Sequence, residues 1–246
     1  MEVGEITLVV FAVLVGFFAK GVTGIGGPML AVPVLAGFMG VEYAVVVIAI
    51  PTFLANCWLL WKTREGAVGI WWFMTPLLIA GVFGTVLGAW ILTSVDDRII
   101  SIVLAAIVVI YIIWYLVGPD VKLTDRWAKR LSTPVGFFGG ALAGATGIAA
   151  PVIATYVHAL EMARAAFIFA VTLPFWTLGV AQLISYAGLG AYDQERIVAG
   201  VIAAVPTLAV LPLATRLGEK MSHRTFQFAV LVVLAASAVR LIWSVF

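Results

Sequence analysis

Long apolar stretches separated by short polar segments make up almost the whole chain. They cover about 6–38, 43–61, 70–92, 99–117, 134–160, 165–187, 196–217 and 225–246. Most hold about 20 residues, which is the length that a helix needs to cross the hydrocarbon core of a bilayer. Because no segment alternates polar and apolar residues, a membrane β-barrel is not predicted. The pattern predicts an all-α, polytopic membrane protein.

Two of these stretches, 6–38 and 134–160, are longer than one crossing needs and are interrupted by glycine and proline. In the first, Thr23 to Pro28 read TGIGGP. Proline suits the first turn of a helix, where its missing N–H costs no hydrogen bond. Non-helical backbone inside lipid has to be bonded by protein or to line a cavity. We therefore predict that each long stretch is a broken, re-entrant hairpin of two helices.

The two broken stretches also resemble each other. Gly21 to Pro28 (GVTGIGGP) match Gly144 to Pro151 (GATGIAAP) at an offset of 123 residues, half of the 246-residue chain. Further matched positions are Pro51 with Pro174 and, after a slip of three residues, Asn56 with Gln182 and Arg98 with Arg224. Duplicated halves with interrupted helices at corresponding positions indicate a transporter, with its binding site at the interruptions.

The matches divide the chain into two membrane repeats, 1–117 and 134–246, joined by a charged linker at 118–133. Each repeat is predicted to be a hairpin followed by three transmembrane helices. If both hairpins return to the side they enter from, the loop Lys and Arg residues divide ten against two, with Arg98 and Arg196 in the minority. Single crossings would divide them seven against five. The positive-inside rule therefore favours inverted repeats, a cytoplasmic linker and both termini outside.

Composition excludes several classes of protein. The chain is 64% hydrophobic and 11% charged, far from the balance of a soluble domain. A net charge of +2 does not indicate nucleic acid, and the single cysteine, Cys57, indicates neither a disulfide nor a metal site. Glu2 and Glu5 make the start unlike a signal peptide. Because no G-x-S-x-G, HExxH or deep carboxylate pair is present, we expect no enzyme, no cofactor and no metal.

The breaks are the predicted substrate site. A helix that starts inside the membrane offers unpaired N–H groups and the positive end of its dipole, which together bind anions. The predicted contacts are Thr23, Gly24, Gly26, Gly27 and Pro28 in the first half and Thr146, Gly147, Ala149, Ala150 and Pro151 in the second. The alternative is close helix packing by small residues. We assign packing to the other glycines, Gly84, Gly88, Gly136, Gly140 and Gly144.

Several polar residues within apolar stretches complete the prediction. Lys20 lies one turn before the first break, where it either complements an anion or snorkels to an interface. The matched amides Asn56 and Gln182 contact either substrate or a neighbouring helix, with Thr52, Thr172 and Thr177 as weaker candidates. His158 is either interfacial or a proton-coupling group. Since every acidic residue lies in a terminus or a connection, an anion is favoured over a cation as substrate.

The segments GVTGIGGPMLAVPVL and GATGIAAPVI, with the charged linker between them, resemble the sulfite exporter TauE/SafE family of bacterial membrane permeases. The resemblance covers essentially the whole chain. It implies secondary transport of a small anion, chiefly sulfite or an organosulfonate, across the bacterial inner membrane. Ala149 and Ala150 stand where a glycine pair is usual, so the second half is expected to be less open than the first and not to bind the anion equivalently. An anion channel and a non-transporting membrane assembly subunit are the alternatives. Saturable counterflow would distinguish a carrier from an anion channel. The sequence predicts no oligomeric state.

Overall fold

A computed structural model describes residues 3–67, 69–117, 122–218, 234–237, 239–240 and 243. The helices are α1 (Val3–Thr23), α2 (Gly27–Met39), α3 (Val41–Thr63), α4 (Trp71–Ser94), α5 (Asp97–Val117), α6 (Asp125–Thr146), α7 (Ala150–His158), α8 (Arg164–Gly188) and α9 (Gln194–Gly218), with a 3-10 turn at Arg64–Ala67. Among these residues there is no strand, and α1, α3, α4, α5, α8 and α9 are long and apolar enough to span a membrane. The predicted all-α, polytopic membrane fold is confirmed. Most of the last predicted transmembrane helix lies outside the described residues.

Both predicted breaks are present. In the first hairpin α1 ends at Thr23 and α2 begins at Gly27, and in the second α6 ends at Thr146 and α7 begins at Ala150. Each break opens on a glycine in the left-handed region, Gly24 with φ of 80° and Gly147 with φ of 71°. A side chain is strained in that conformation, so glycine is needed at both positions. A proline then occupies the first turn of the returning helix in each half.

The charged stretch predicted as a linker is helical from Asp125 onward, because α6 begins there. Thr124 takes the extended conformation of an N-cap residue and Asp125 places a carboxylate in the first turn, both of which favour a helix start. Arg126 and Arg130 follow at a spacing of four residues and are exposed. The high charge therefore lies at the exposed start of a helix, and the division into repeats at this point stays a prediction.

Helices α4 and α6 run parallel with almost no side-chain volume between them. A Cβ atom on Gly84 would collide with the backbone of Phe137, and one on Gly140 would collide with the backbone of Gly81. Gly88, Gly136 and Gly144 are blocked in the same way by backbone of the facing helix. The packing role predicted for these glycines is confirmed, because only residues without a side chain allow this approach.

Bonds between helix ends show how the hairpins are oriented. Asp97 Oδ1 accepts hydrogen bonds from Val41 N at 2.9 Å and Glu42 N at 3.1 Å, and Arg196 pairs with Glu42 at 2.6 Å. The starts of α3, α5 and α9 therefore share one end of the bundle with the end of α2. Leu123 N donates to Ala159 O at 2.9 Å, which joins the open end of the second hairpin. Since α6 runs parallel to α4, and α4 begins where α3 ends, this hairpin opens at the opposite end.

Candidate functional site

The tips of the two hairpins meet around a cavity of about 40 Å³. The lining residues are Lys20, Gly26, Pro28, Met29, Thr52, Ala143, Gly147, Ile148, Ala149, Ala150, Phe175, Leu178 and Gln182. Seven of the predicted site residues are among them, from both halves of the chain. A single water needs roughly 10–15 Å³ on this measure, so the cavity has room for a few water molecules or one compact ion.

Two helices begin at this cavity. The first intrahelical bond of α2 runs from Leu30 N to Gly26 O at 3.1 Å, and Ile153 N donates to Ala149 O at 3.0 Å in α7. The N–H groups at the start of a helix have no carbonyl partner within it, and the aligned peptide dipoles add partial positive charge there. The cavity is therefore bounded by two positive helix ends, which is a favourable setting for an anion.

Lys20 adds an ionisable amine to this setting. Its side chain is 1% exposed, so it does not snorkel to the surface. Lys20 Nζ lies 5.2 Å from the centroid of the Phe175 ring. Among the described residues it has no hydrogen-bond or ion-pair partner. A cationic group that is buried without a counter-charge is costly, which indicates that the missing partner is a ligand.

The two matched threonines stabilise the breaks and do not line the cavity. Thr23 Oγ1 accepts a hydrogen bond from Ile25 N at 3.1 Å and lies 2.9 Å from Ala19 O. Thr146 Oγ1 donates to Leu142 O at 2.7 Å and accepts from Ile148 N at 3.3 Å. Both hydroxyls thus bond the backbone that a broken helix leaves unpaired. Gly24, Gly27 and Pro151 are also outside the lining.

The amide of Gln182 lines the cavity and also bonds a neighbouring helix. Its Nε2 donates to Ala143 O at 2.6 Å and to the Tyr186 hydroxyl at 3.0 Å. Tyr186 in turn donates to Gly144 O at 2.7 Å. Carbonyls near the end of α6 therefore have side-chain partners on α8, which fixes the second hairpin tip against that helix.

Asn56, the matched amide of the first half, is in a different situation. It is 0% exposed and lies one turn beyond Thr52 on α3, outside the cavity lining. Neither amide atom has a hydrogen-bond partner, and the hydroxyls of Thr52 and Thr172 have none either. Buried polar groups are nearly always hydrogen-bonded. We therefore infer that the Asn56 amide finds a partner in another conformation of the protein or in a ligand.

His158 lies away from the cavity. It ends α7, is exposed, and packs edge-on against the ring of Phe167 with the ring centroids 6.0 Å apart. This position fits the interfacial alternative. A role of His158 in proton coupling has no support from a contact with the cavity.

Several lining residues were not predicted from the sequence, namely Met29, Ala143, Ile148, Phe175 and Leu178. One signal for Phe175 was available. Thr52 and Phe175 follow the matched prolines Pro51 and Pro174, so they occupy corresponding positions in the two halves. Both line the cavity. Apolar residues such as Leu178 carry no comparable signal, because any apolar position in a membrane helix looks alike.

A known protein family matches almost the whole chain. A family model described as "Sulfite exporter TauE/SafE" matches residues 8–241. Neither a search of curated proteins nor a search of solved structures produced a match.

Proposed function

We propose, since the chain belongs to the sulfite exporter TauE/SafE family, that it is a secondary transporter of a small anion, sulfite or an organosulfonate. The family consists of membrane transporters, and the chain is not an enzyme. The observation that carries the proposal is the cavity between the hairpin tips, where two helix N-termini and the unpartnered Lys20 meet. The residues that line the cavity include a lysine and no carboxylate, so they suit an anion better than a cation.

The volume of the cavity supports a compact substrate. About 40 Å³ accommodates an ion of the size of sulfite. An organosulfonate with a longer carbon chain would need the cavity to widen. The apolar lining residues Met29, Phe175 and Leu178 would then contact the carbon part, while the sulfonate group faces the helix ends.

The placement of the site supports alternating access as the mechanism. Each hairpin tip covers the anion from a different end of the bundle, so movement of one tip at a time would expose the anion to one side only. Discontinuous helices whose ends meet a substrate near the midplane are a recurrent feature of secondary transporters. The inverted orientation of the two hairpins supports this mechanism.

The charged residues support an orientation in the membrane. Lys62, Arg64, Lys129 and Arg130 lie at the end of the bundle where α3 stops and α6 starts, whereas Arg98 and Arg196 lie at the other end. The positive-inside rule assigns the first end to the cytoplasm. We therefore place both termini outside and the chain in a bacterial inner membrane.

Counterflow in proteoliposomes tests the proposal. Vesicles loaded with unlabelled sulfite should accumulate labelled sulfite from the medium, and the rate should saturate with concentration. Gly26→Leu should abolish this accumulation, because Gly26 has φ of 123° and borders the cavity. Lys62→Met, which changes an exposed lysine at a helix end, is the control and should transport normally. Rapid flux without counterflow would identify a channel. Purified folded protein that moves no anion would favour an assembly subunit.

A further inference from the structure

No carboxylate approaches Lys20 from the described helices around it. Its own helix carries Glu5 in the first turn, and α3, α6 and α9 carry Glu42, Asp125 and Glu195 in theirs. All four lie at an end of the bundle, whereas Lys20 lies at the cavity between the hairpin tips. The sequence of α2 contains no ionisable residue, and α7 and α8 contain no acid.

The other titratable groups on these helices, among the described residues, are bonded elsewhere, exposed or, like Tyr43 at the start of α3, located at a helix end. The Tyr186 hydroxyl donates to Gly144 O, and Cys57 Sγ accepts a hydrogen bond from Trp176 Nε1 at 3.2 Å. His158 on α7 is exposed. On α9, Ala214 packs against Gly21, and the next ionisable residue, Arg216, is exposed. Lys20 therefore faces the cavity, the ring of Phe175 and backbone, and none of the described residues offers a group that could share or neutralise its charge.

The protonation state of Lys20 should depend on whether the cavity holds an anion. With an anion in the cavity, the ammonium form gains an ion pair that offsets its loss of water. Without an anion, the ammonium form has no counter-charge among the described residues and contact with at most a few water molecules, so the neutral amine is favoured. Anion binding and proton binding at Lys20 must then strengthen each other by the same factor, because coupling between two ligands is reciprocal.

We propose that Lys20 carries one proton with each anion, so that transport by this chain is proton-coupled. The inference rests on the function proposed above and extends it to the coupling ion. In each cycle the lone pair of Nζ takes a proton from water on the side where the anion enters. The N–H bond returns that proton to water on the side where the anion leaves. A singly charged anion then crosses without net movement of charge.

The experiment uses methanesulfonate, because sulfite itself takes up protons near neutral pH. Vesicles containing the full-length protein and a trapped pH-sensitive dye are given an inward methanesulfonate gradient. In the wild type, acidification of the lumen should accompany anion uptake in a ratio of about one proton per anion. In detergent solution, the affinity for methanesulfonate should fall by up to about tenfold per pH unit on the alkaline limb.

Two variants distinguish a proton-carrying role of Lys20 from a role as a fixed positive charge. Lys20→Met should bind the anion much more weakly and move no proton. Lys20→Arg keeps a guanidinium that does not release its proton, so any anion uptake should proceed without lumen acidification and should respond to membrane potential. Lys62→Met is the matched control and should keep the wild-type ratio. Thermal unfolding of each variant shows that it is folded before transport is compared.

Each outcome decides the inference. Proton uptake with the anion in the wild type, lost in Lys20→Arg, supports it. Anion uptake without protons in the wild type, or unchanged acidification in Lys20→Arg, overturns the proton role while leaving the transporter function intact. If neither sulfite nor methanesulfonate crosses with folded wild-type protein, the proposed function and the inference fail together.

Discussion

Lys20 reaches the cavity across Gly27, in space that is free only because Gly27 has no side chain. A Cβ atom built on Gly27 would lie 3.1 Å from Lys20 Cδ and 2.8 Å from Phe17 Cε1. In the second half the corresponding positions are Ala143 and Ala150, so the lysine and the glycine are both replaced by alanine. The pair explains why the second motif has alanine, Ala150, in place of the second glycine of the first. Where no long side chain crosses the returning helix, alanine fits.

Gly27→Ala should therefore displace Lys20 and Phe17 and weaken anion binding about tenfold. The added methyl group overpacks a buried contact, which typically costs about 1–3 kcal/mol of stability. Binding is measured by isothermal titration with sulfite and stability by thermal unfolding. Gly179→Ala is the control, because the nearest atom to its added Cβ is 3.7 Å away. Equal sulfite affinity in Gly27→Ala and wild type would show that the Lys20 side chain does not need this path.

Tyr186→Phe should lower the melting temperature by loosening α8 from the end of α6. The change removes the donor to Gly144 O and one acceptor of the Gln182 amide. A buried group left without its partner costs roughly 1–3 kcal/mol. Tyr192→Phe is a matched control with a smaller expected effect, since the Tyr192 hydroxyl lies 3.4 Å from its acceptor, Val46 O. Equal losses in the two variants would contradict the anchoring role of Tyr186.

Asn56→Leu should slow transport without lowering the stability of the fold. Because the amide has no partner in this conformation, an apolar residue of similar size should leave the melting temperature unchanged or raise it. If Asn56 finds its partner in another state of the cycle, the sulfite counterflow rate should fall at least about tenfold. Gln182→Leu provides the comparison, because it should lower stability as well as transport. A variant of Asn56 with normal counterflow would show that the amide has no part in the cycle.

Gly84→Ala should prevent normal folding rather than alter binding. The new Cβ atom would meet the backbone of α6, which cannot move aside as a side chain can. Separating α4 from α6 should cost several kcal/mol, and the yield of monodisperse protein should fall steeply. Gly188→Ala, with nothing within 4 Å of the added atom, should behave as wild type. Normal yield and melting temperature in Gly84→Ala would show that the two helices can separate without penalty.

The sequence predicts features that depend on local backbone chemistry. Gly24, Pro28, Gly147 and Pro151 locate both breaks, because glycine and proline determine where a membrane helix can stop and restart. Asn56 and Gln182, which the sequence matches as equivalent positions of the two halves, show what the sequence cannot predict. Equivalent positions in a repeat carry similar residues, but the partner of each amide depends on a neighbouring helix that the repeat does not specify.

The end of the predicted linker shows a second limit. A charged stretch is typical of a connection, yet Arg126 and Arg130 are exposed residues in the first turns of α6. Composition reports the surroundings of a segment more directly than its backbone conformation. For the same reason, the sequence identified Lys20 as unusual without showing that it faces a cavity.

The glycine contacts between α4 and α6 also bear on how the protein is made. The groove along Gly81, Gly84 and Gly88 of α4 is filled by α6, and α6 is synthesised more than thirty residues after α4. Until α6 is synthesised, α4 lacks the helix that fills this groove in the folded protein. A chain cut at residue 117 would keep that groove unfilled and should be recognised by membrane quality control, even though all its apolar helices can insert.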